Sequence, residues 1–367
     1  MKDRLVSLDA FRGITIAGMI LVNNPGSWSH VYPLLLHAKW HGWTPTDLIF
    51  PFFLFIVGVA MAFSLSKHLE NPVAKRKIYL KIFRRTVIIY FLGLLLSGFP
   101  HFNLSTIRVV GVLPRIAMVY LIASIVTLNT GIKGQAGIAA GLLFLYWGLM
   151  KLVPVPGYGA GDLSVAGNLA AFIDNILLQG HMWKETWDPE GLLSTIPAIS
   201  TTLTGVLTGH LLRSGLDKRD IAGWMFVVGW CAIIVGLFWH IVFPINKSLW
   251  TSSYVVFTSG AALQFLGFCY WLIDVKGRKK WAHFAIIYGM NSIAVFVLSG
   301  LVARIMLLVK VDAVNGASIS FKTWLYQNLF ASWAGPLNGS LAFALTNILF
   351  WLAMMGILYR KRIFIKI

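Results

Sequence analysis

A bilayer core about 30 Å thick is crossed by a helix of about twenty apolar residues, and ten stretches of this sequence approach that demand. They lie near residues 13–27, 47–66, 84–99, 109–128, 135–153, 192–212, 221–243, 253–274, 284–309 and 340–359. Inside hydrocarbon no water satisfies a backbone N–H or C=O, so each run must close its own hydrogen bonds as a helix. The expectation is an all-α polytopic integral membrane protein of about ten transmembrane helices. Residues 1–367 read as a single transmembrane domain, with no internal repeat and no soluble domain. With 57% hydrophobic and only 12% charged residues, a soluble globular fold is excluded.

The formal charge of +18 would suggest nucleic acid in a soluble protein. Here most of the 31 basic residues fall in alternate connections, including the N-terminal segment, 67–85, 213–219, 276–280 and the C-terminus. That is the positive-inside pattern, and it predicts that both termini are cytoplasmic, with lipid headgroups rather than nucleic acid as partners. The first apolar run lacks a small-residue cleavage pattern, so it is expected to serve as its own insertion signal. Cys231 and Cys269 each lie inside an apolar run and are expected as buried thiols, without a disulfide.

One outer connection, about 154–191, is long. It holds a Gly/Pro-rich start, a mildly amphipathic stretch over 168–178 and the segment Trp187–Asp188–Pro189–Glu190–Gly191. Loops of that length in compact proteins are functional or disordered, and its aromatics predict an ordered cap. A second outer segment, 321–333, reads as an interfacial helix. The first span runs into Asn23, Asn24, Pro25 and Gly26, which predicts a break near the outer leaflet.

Ionisable residues at membrane depth are costly and by default mark function. The densest patch runs from Asn23 to Asp47, with His30, His37 and His41 beside Trp40 and Trp43. Asp47 has two readings: the third-position acid of a cap formed by Thr44 and Pro45, or an orienting carboxylate for a histidine. His37 and His41, four apart, also have metal-ligand spacing, but no further ligand cluster joins them and no metal site is expected. In the segment 187–191, the indole and two carboxylates suit a sugar carrying hydroxyls and an ammonium; a Pro-Gly turn before a helix is the structural alternative.

The stretches SLDAFRG at 7–13, Asn23, HAKWHGWTPTDLIFPFFLFIVG at 37–58, GVLPRIA at 111–117, PGYGAGDLS at 156–164, GNLAAFID at 167–174, WDPEGLLSTIPAI at 187–199 and GMNSIAVFVLSG at 289–300 resemble the heparan-α-glucosaminide N-acetyltransferase family. Some bacterial relatives in it carry the label of N-acetylglucosamine-related transporters. The resemblance covers the family's membrane part; its lysosomal member has an extra N-terminal span and lumenal region that this sequence is expected to lack. It implies acetyl-CoA as donor, an amino-sugar acceptor on the far side, His37 as catalytic histidine, Asn23 as its partner, and a homodimer in a bacterial inner membrane.

On that chemistry, a neutral imidazole takes the ammonium proton, Asp47 orients it, and the Asn23 amide donates to the developing oxyanion. Direct attack by His37, through an acetyl-imidazole, is equally open. Arg12, Arg84, Arg85 and Arg115 are the candidates for the CoA phosphates. On the sugar side the candidates are Trp40, Trp187, Asp188, Glu190, Asn168 and Asn291, the last with interhelical bonding as its alternative. Two other classes compete: a secondary transporter of amino sugars and an envelope assembly protein. Transporters of that kind pair broken helices in two repeats, and the sequence offers one break without a counterpart.

Overall fold

The computed structural model describes residues 5–65, 72–312 and 318–365. Its α-helices are α1 (Val6–Asn23), α2 (Ile49–Leu65), α3 (Pro72–Gly98), α4 (Val112–Asn129), α5 (Ile132–Leu152), α6 (Leu169–Leu177), α7 (Thr195–Leu212), α8 (Lys218–His240), α9 (Ser252–Tyr270), α10 (His283–Met290), α11 (Ser292–Leu308), α12 (Phe321–Tyr326) and α13 (Ser332–Arg360). Two small hairpins are the extended structure among the described residues: β1 (Pro154–Val155) with β2 (Gly159–Ala160), and β3 (Lys310–Asp312) with β4 (Ser318–Ser320).

The protein is an all-helical, multi-pass membrane protein. Among the described residues seven helical segments are long and apolar enough to cross a bilayer, or eight if the bent pair Lys280–Met290 and Ser292–Leu308 counts as one span. The ten apolar runs fall on helices, but three do not meet that standard on their own: the bent pair and the runs at 84–99 and 192–212. The run at 84–99 is the end of a helix that begins at Pro72 with a basic first half. The run at 192–212 forms α7, which is rich in Thr and Ser.

The chain folds into two compact units. Among the described residues, the first comprises 5–37, Thr44–Ile49, 272–312 and 318–365. Its centre is the contact of α1 with α10. A Cβ on Gly13 would lie 1.7 Å from the Ala285 carbonyl oxygen, and one on Gly289 would lie 2.2 Å from that of Asp9. Small residues on both helices thus let the backbones meet, which is how helices associate where lipid removes the hydrophobic drive.

The apolar run at 284–309 is not one helix. It bends by 70° at Asn291, where α10 gives way to α11. Asn291 is buried; its Nδ2 donates to the Ile363 carbonyl (3.1 Å) and its Oδ1 accepts the Ile365 N–H (2.8 Å). A second kink falls at Gly335 (φ 74°), before Pro336 in α13. The expectation of a lone broken helix is therefore corrected. α1, expected to break, runs unbroken from Val6 and stops at Asn23. The expected interfacial helix at 321–333 leads through a π-turn, Gln327–Ala331, directly into α13.

The second unit comprises Ala38–Trp43 and Phe50–Trp271. Here α7 packs on α4, α5 and α9, while α8 lies along α9. Polar side chains tie these helices: Ser200 Oγ donates to Ala139 O (2.9 Å), Ser252 Oγ to Leu143 O (2.7 Å) and Tyr146 Oη to Leu249 O (2.5 Å). The long connection 154–191, called the cap below, is ordered, with the β1–β2 hairpin and α6. Its amphipathic helix α6 covers a core of Tyr146, Met150, Val155, Leu163, Leu169 and Phe243, against which Trp40 packs. α8 exposes Trp224, Trp230 and Phe238, an apolar face suited to lipid. Cys231 is exposed on that helix and Cys269 is buried, so the burial expected of both holds for one.

Candidate active site

His37 lies in the connection between α1 and α2, and its Nδ1 is 2.7 Å from Asp47 Oδ1. The carboxylate is buried at 1% exposure, while the imidazole is half exposed at 49%. Asp47 stands in the 3-10 turn Pro45–Leu48, and its second oxygen accepts the Thr44 N–H at 2.9 Å, with the Thr44 hydroxyl at 3.2 Å. The two readings of Asp47 are thus both realised, one oxygen to each.

The loop is held from the same turn. The Thr44 hydroxyl reaches the Leu36 carbonyl (2.6 Å), and Thr46 Oγ1 donates to Leu34 O (3.2 Å). The backbone just before His37 is therefore fixed to the element that carries Asp47. A carboxylate can only accept, so Nδ1 is the protonated nitrogen and the lone pair resides on Nε2, the atom able to take a proton.

Asn23 is the last residue of α1 and is exposed, and among the described residues its amide has no hydrogen-bond partner. Its neighbour Asn24 is buried and returns to the helix, Nδ2 to Ile20 O at 3.1 Å. Of two adjacent asparagines, the second closes the helix, leaving the first to point elsewhere.

In the second unit, Trp40 and Trp187 meet edge to face, ring centroids 5.2 Å apart, and Trp40 Nε1 donates to Leu163 O (2.8 Å). His41 lies 3.4 Å from the buried Asn246 amide, and burial, then nearby His240, lower its pKa below the usual histidine value. Asp188 and Glu190 are buried and committed to Arg108. Arg108 Nε and Nη2 grip Asp188 at 2.7 and 2.5 Å, and Nη2 also reaches Glu190 Oε2 at 2.5 Å. Burial pulls the guanidinium pKa down, but these hydrogen bonds and charges outweigh it and hold it above the ordinary value. Asp188 further accepts the N–H groups of Trp183 and Glu190. The carboxylates expected to face a sugar are instead both bound to Arg108, on either side of Pro189 in the segment that follows Trp187.

Two further sugar candidates are also structural. Asn168 is fully buried as the N-cap of α6, its Oδ1 accepting Ala171 N–H (2.8 Å) and its Nδ2 donating to Ser164 and Val165 carbonyls. Asn291 holds the C-terminal segment, as described. Asp174 on α6 accepts the Leu192 N–H (2.8 Å), and burial raises its pKa to about 6, against the pull of that bond and of Arg115.

The arginines divide. Arg115 is buried, donates to Gly191 O (3.0 Å) and Ser194 Oγ, and lies over the Trp250 ring at 5.1 Å. Its guanidinium is thus bound to the segment that follows residues 187–190. Arg85 lies 4.8 Å over the Tyr120 ring, and Arg84 is exposed. Arg12 bonds Asp9 (3.2 Å) and the Gly289 carbonyl (3.4 Å), joining α1 to α10. Sequence reasoning missed Arg108, whose partners lie eighty residues downstream. The signal available was a basic residue on the expected outer side, where the positive-inside pattern has no use for one.

The family model described as "Heparan-alpha-glucosaminide N-acetyltransferase, catalytic" matches residues 4–236. The chain belongs to this family. It is 30% identical to heparan-alpha-glucosaminide N-acetyltransferase of Homo sapiens, an alignment covering all of this chain and 60% of the human protein. The corresponding protein of Mus musculus is 29% identical over 80% of this chain and 53% of its own length. The chain thus spans somewhat over half the length of these relatives.

Proposed function

We propose that this protein is a transmembrane N-acetyltransferase, which passes acetyl from cytoplasmic acetyl-CoA to the amine of a glucosamine-type sugar on the periplasmic side of a bacterial inner membrane. The observation that carries the reading is the 2.7 Å contact between the His37 imidazole and the buried Asp47 carboxylate. An amino-sugar ammonium must lose a proton before its nitrogen can attack, and by analogy with an α-amino group it does so near pH 8. Nε2 of His37 accepts that proton, and Asp47 stabilises the imidazolium. That first proton passes from Nε2 to solvent; the N–C bond then forms as the thioester C–S bond breaks, and Nε2 takes the second proton from the attacking nitrogen and gives it to the departing thiolate. The Asn23 amide donates to the carbonyl oxygen while it carries negative charge, an interaction worth about 3–4 kcal/mol. Within the second unit, the edge-to-face pair Trp40 and Trp187 offers ring faces on which a sugar stacks.

The bend at Asn291 and the kink at Gly335 favour a second reading, an amino-sugar transporter, because broken helices are that class's usual equipment. One assay separates the two. Purified protein in detergent, given acetyl-CoA and glucosamine, forms N-acetylglucosamine and CoA, whereas a pure transporter forms none without a second compartment. His37→Ala lowers the rate by at least about 100-fold with the melting temperature retained. Product formation unaffected by that substitution rules out the imidazole mechanism.

A further inference from the structure

The segment Ala38–Trp43 of the second unit carries Trp40, and among its ties to that unit are two rings and a backbone bond. Trp40 Nε1 donates to Leu163 O (2.8 Å), the Gly42 N–H donates to Ile245 O (2.8 Å), and the Trp43 ring packs on Phe257 at 4.9 Å. His41 adds a further tie, its Nδ1 lying 3.4 Å from Asn246 Nδ2.

Neighbouring donors fix where the protons are. Asn246 Oδ1 accepts the Leu249 N–H (2.9 Å), so Nδ2 is the donor end of that amide, and the facing His41 Nδ1 is an acceptor with its proton on Nε2. At the end of α8, His240 Nδ1 accepts the Ile245 N–H (2.9 Å), which makes His240 the same tautomer. Ile245 thus joins the two histidines: its N–H goes to His240, and its carbonyl takes the N–H of Gly42, next to His41. A proton added to either Nδ1 would set donor against donor and break the bond. Burial, then the charge of His240, lower the His41 pKa. The other charged groups of the elements packed here are Lys39 on the segment itself, Lys247 in the turn before α9 and Asp162 beside Leu163. Asp188 and Glu190 in the cap are committed to Arg108, and α9 carries no charged residue. Of all these, His240 is the group whose charge acts on His41.

We infer that His41 and His240 are positioning residues: as neutral imidazoles they fasten the Trp40 segment to the turn at 244–251, and their protonation frees it, so that acidification weakens binding of the acceptor sugar. The consequence for the sugar rests on the proposed function, in which the Trp40 and Trp187 rings receive it. The latch itself does not.

The variant His41→Asn/His240→Asn tests this, because an asparagine Oδ1 can stand in for an imidazole Nδ1 as acceptor but does not titrate. Hydrogen exchange in detergent reads the amides of Gly42 and Ile245, expressed as protection so that the intrinsic pH dependence of exchange is removed. In wild type that protection falls at least about ten-fold between about pH 7.5 and pH 5, and in the asparagine pair it is the same at both. Titration calorimetry with N-acetylglucosamine, a neutral probe, gives the sugar arm: its Kd rises on acidification in wild type and stays constant in the pair. Protection that is independent of pH in wild type overturns the latch whatever the pair does, and so does protection that falls equally in both proteins. Protection that falls in wild type alone, with sugar affinity constant across pH, overturns the coupling to the sugar. A protein whose latch opens as expected but which binds no sugar at either pH overturns the acceptor reading of Trp40 and Trp187 instead.

Discussion

The Asp47 carboxylate gives Oδ1 to the His37 ring and Oδ2 to the Thr44 backbone, and two substitutions separate these duties. Asp47→Asn keeps an oxygen for the Thr44 N–H, so the turn survives, but it removes the charge that favours an imidazolium. The expected outcome is a fall in kcat of about 100-fold or more with nearly unchanged melting. Asp47→Ala loses both, adding about 1 kcal/mol of instability from the missing cap. Equal melting temperatures for the two variants would show that the cap carries no weight. Asn23→Ala, with no bond among the described residues to lose, is expected to lower kcat by about 100- to 1000-fold while leaving stability intact. The closeness of His37 and Asp47 was legible because both lie in one short stretch of chain, whereas the role expected of Asn23 came from the family resemblance alone. The double use of Asp47 was not, because a sequence cannot show that two oxygens of one carboxylate point to different partners.

At the scale of elements, the cap over residues 154–191 is fastened by buried charge, and that makes it sensitive in a signed way. Arg108→Met strands Asp188, wholly buried, and Glu190. Breaking such a set costs about 3–5 kcal/mol, read as a drop in melting temperature together with a raised KM for the sugar as Trp187 loses its support. Asp174 behaves in the opposite sense. Its carboxyl titrates at about 6 in the folded cap, above the unfolded value of 3.8, chiefly because it is buried. Its contribution to stability is fully present below about pH 4 and is lost as pH rises through about 6; above that the ionised group is a liability of up to about 3 kcal/mol. Asn in its place still accepts the Leu192 N–H. Asp174→Asn should therefore melt higher than wild type at pH 8, with the difference vanishing toward pH 4; a difference that grows on acidification would refute the assignment. The cap's order and its amphipathic helix were readable from aromatics and spacing. Its fastening was not, since Arg108 and Asp188 are joined only by the fold. The bend at Asn291 was hidden for a related reason: the apolar run passes through it without a proline or a cluster of glycines, and the tie that stabilises it comes from residues 363 and 365.

For the whole molecule, the decisive quantity is which face each substrate meets. α1 is eighteen residues long, about 27 Å at helical rise, close to the thickness of a hydrocarbon core. One end carries the basic N-terminal segment that the charge pattern assigns to the cytoplasm, and the other carries Asn23. A donor entering beside the first and an acceptor arriving beside the second would meet without either crossing the bilayer. Sealed inside-out vesicles put this to the test, with acetyl-CoA outside, on the cytoplasmic face, and glucosamine trapped within. Acetylated sugar should accumulate in the lumen while CoA is released outside. With both substrates outside, product should be absent until the vesicles are permeabilised. Product formed from both substrates on one side of an intact membrane would leave the chemistry possible but remove the transmembrane transfer. Efflux of unmodified glucosamine independent of acetyl-CoA would instead point to the carrier that the broken helices allow. The first of these outcomes is the expected one on the proposed function, since the positive-inside pattern predicts a cytoplasmic face for the run Lys276–Lys280.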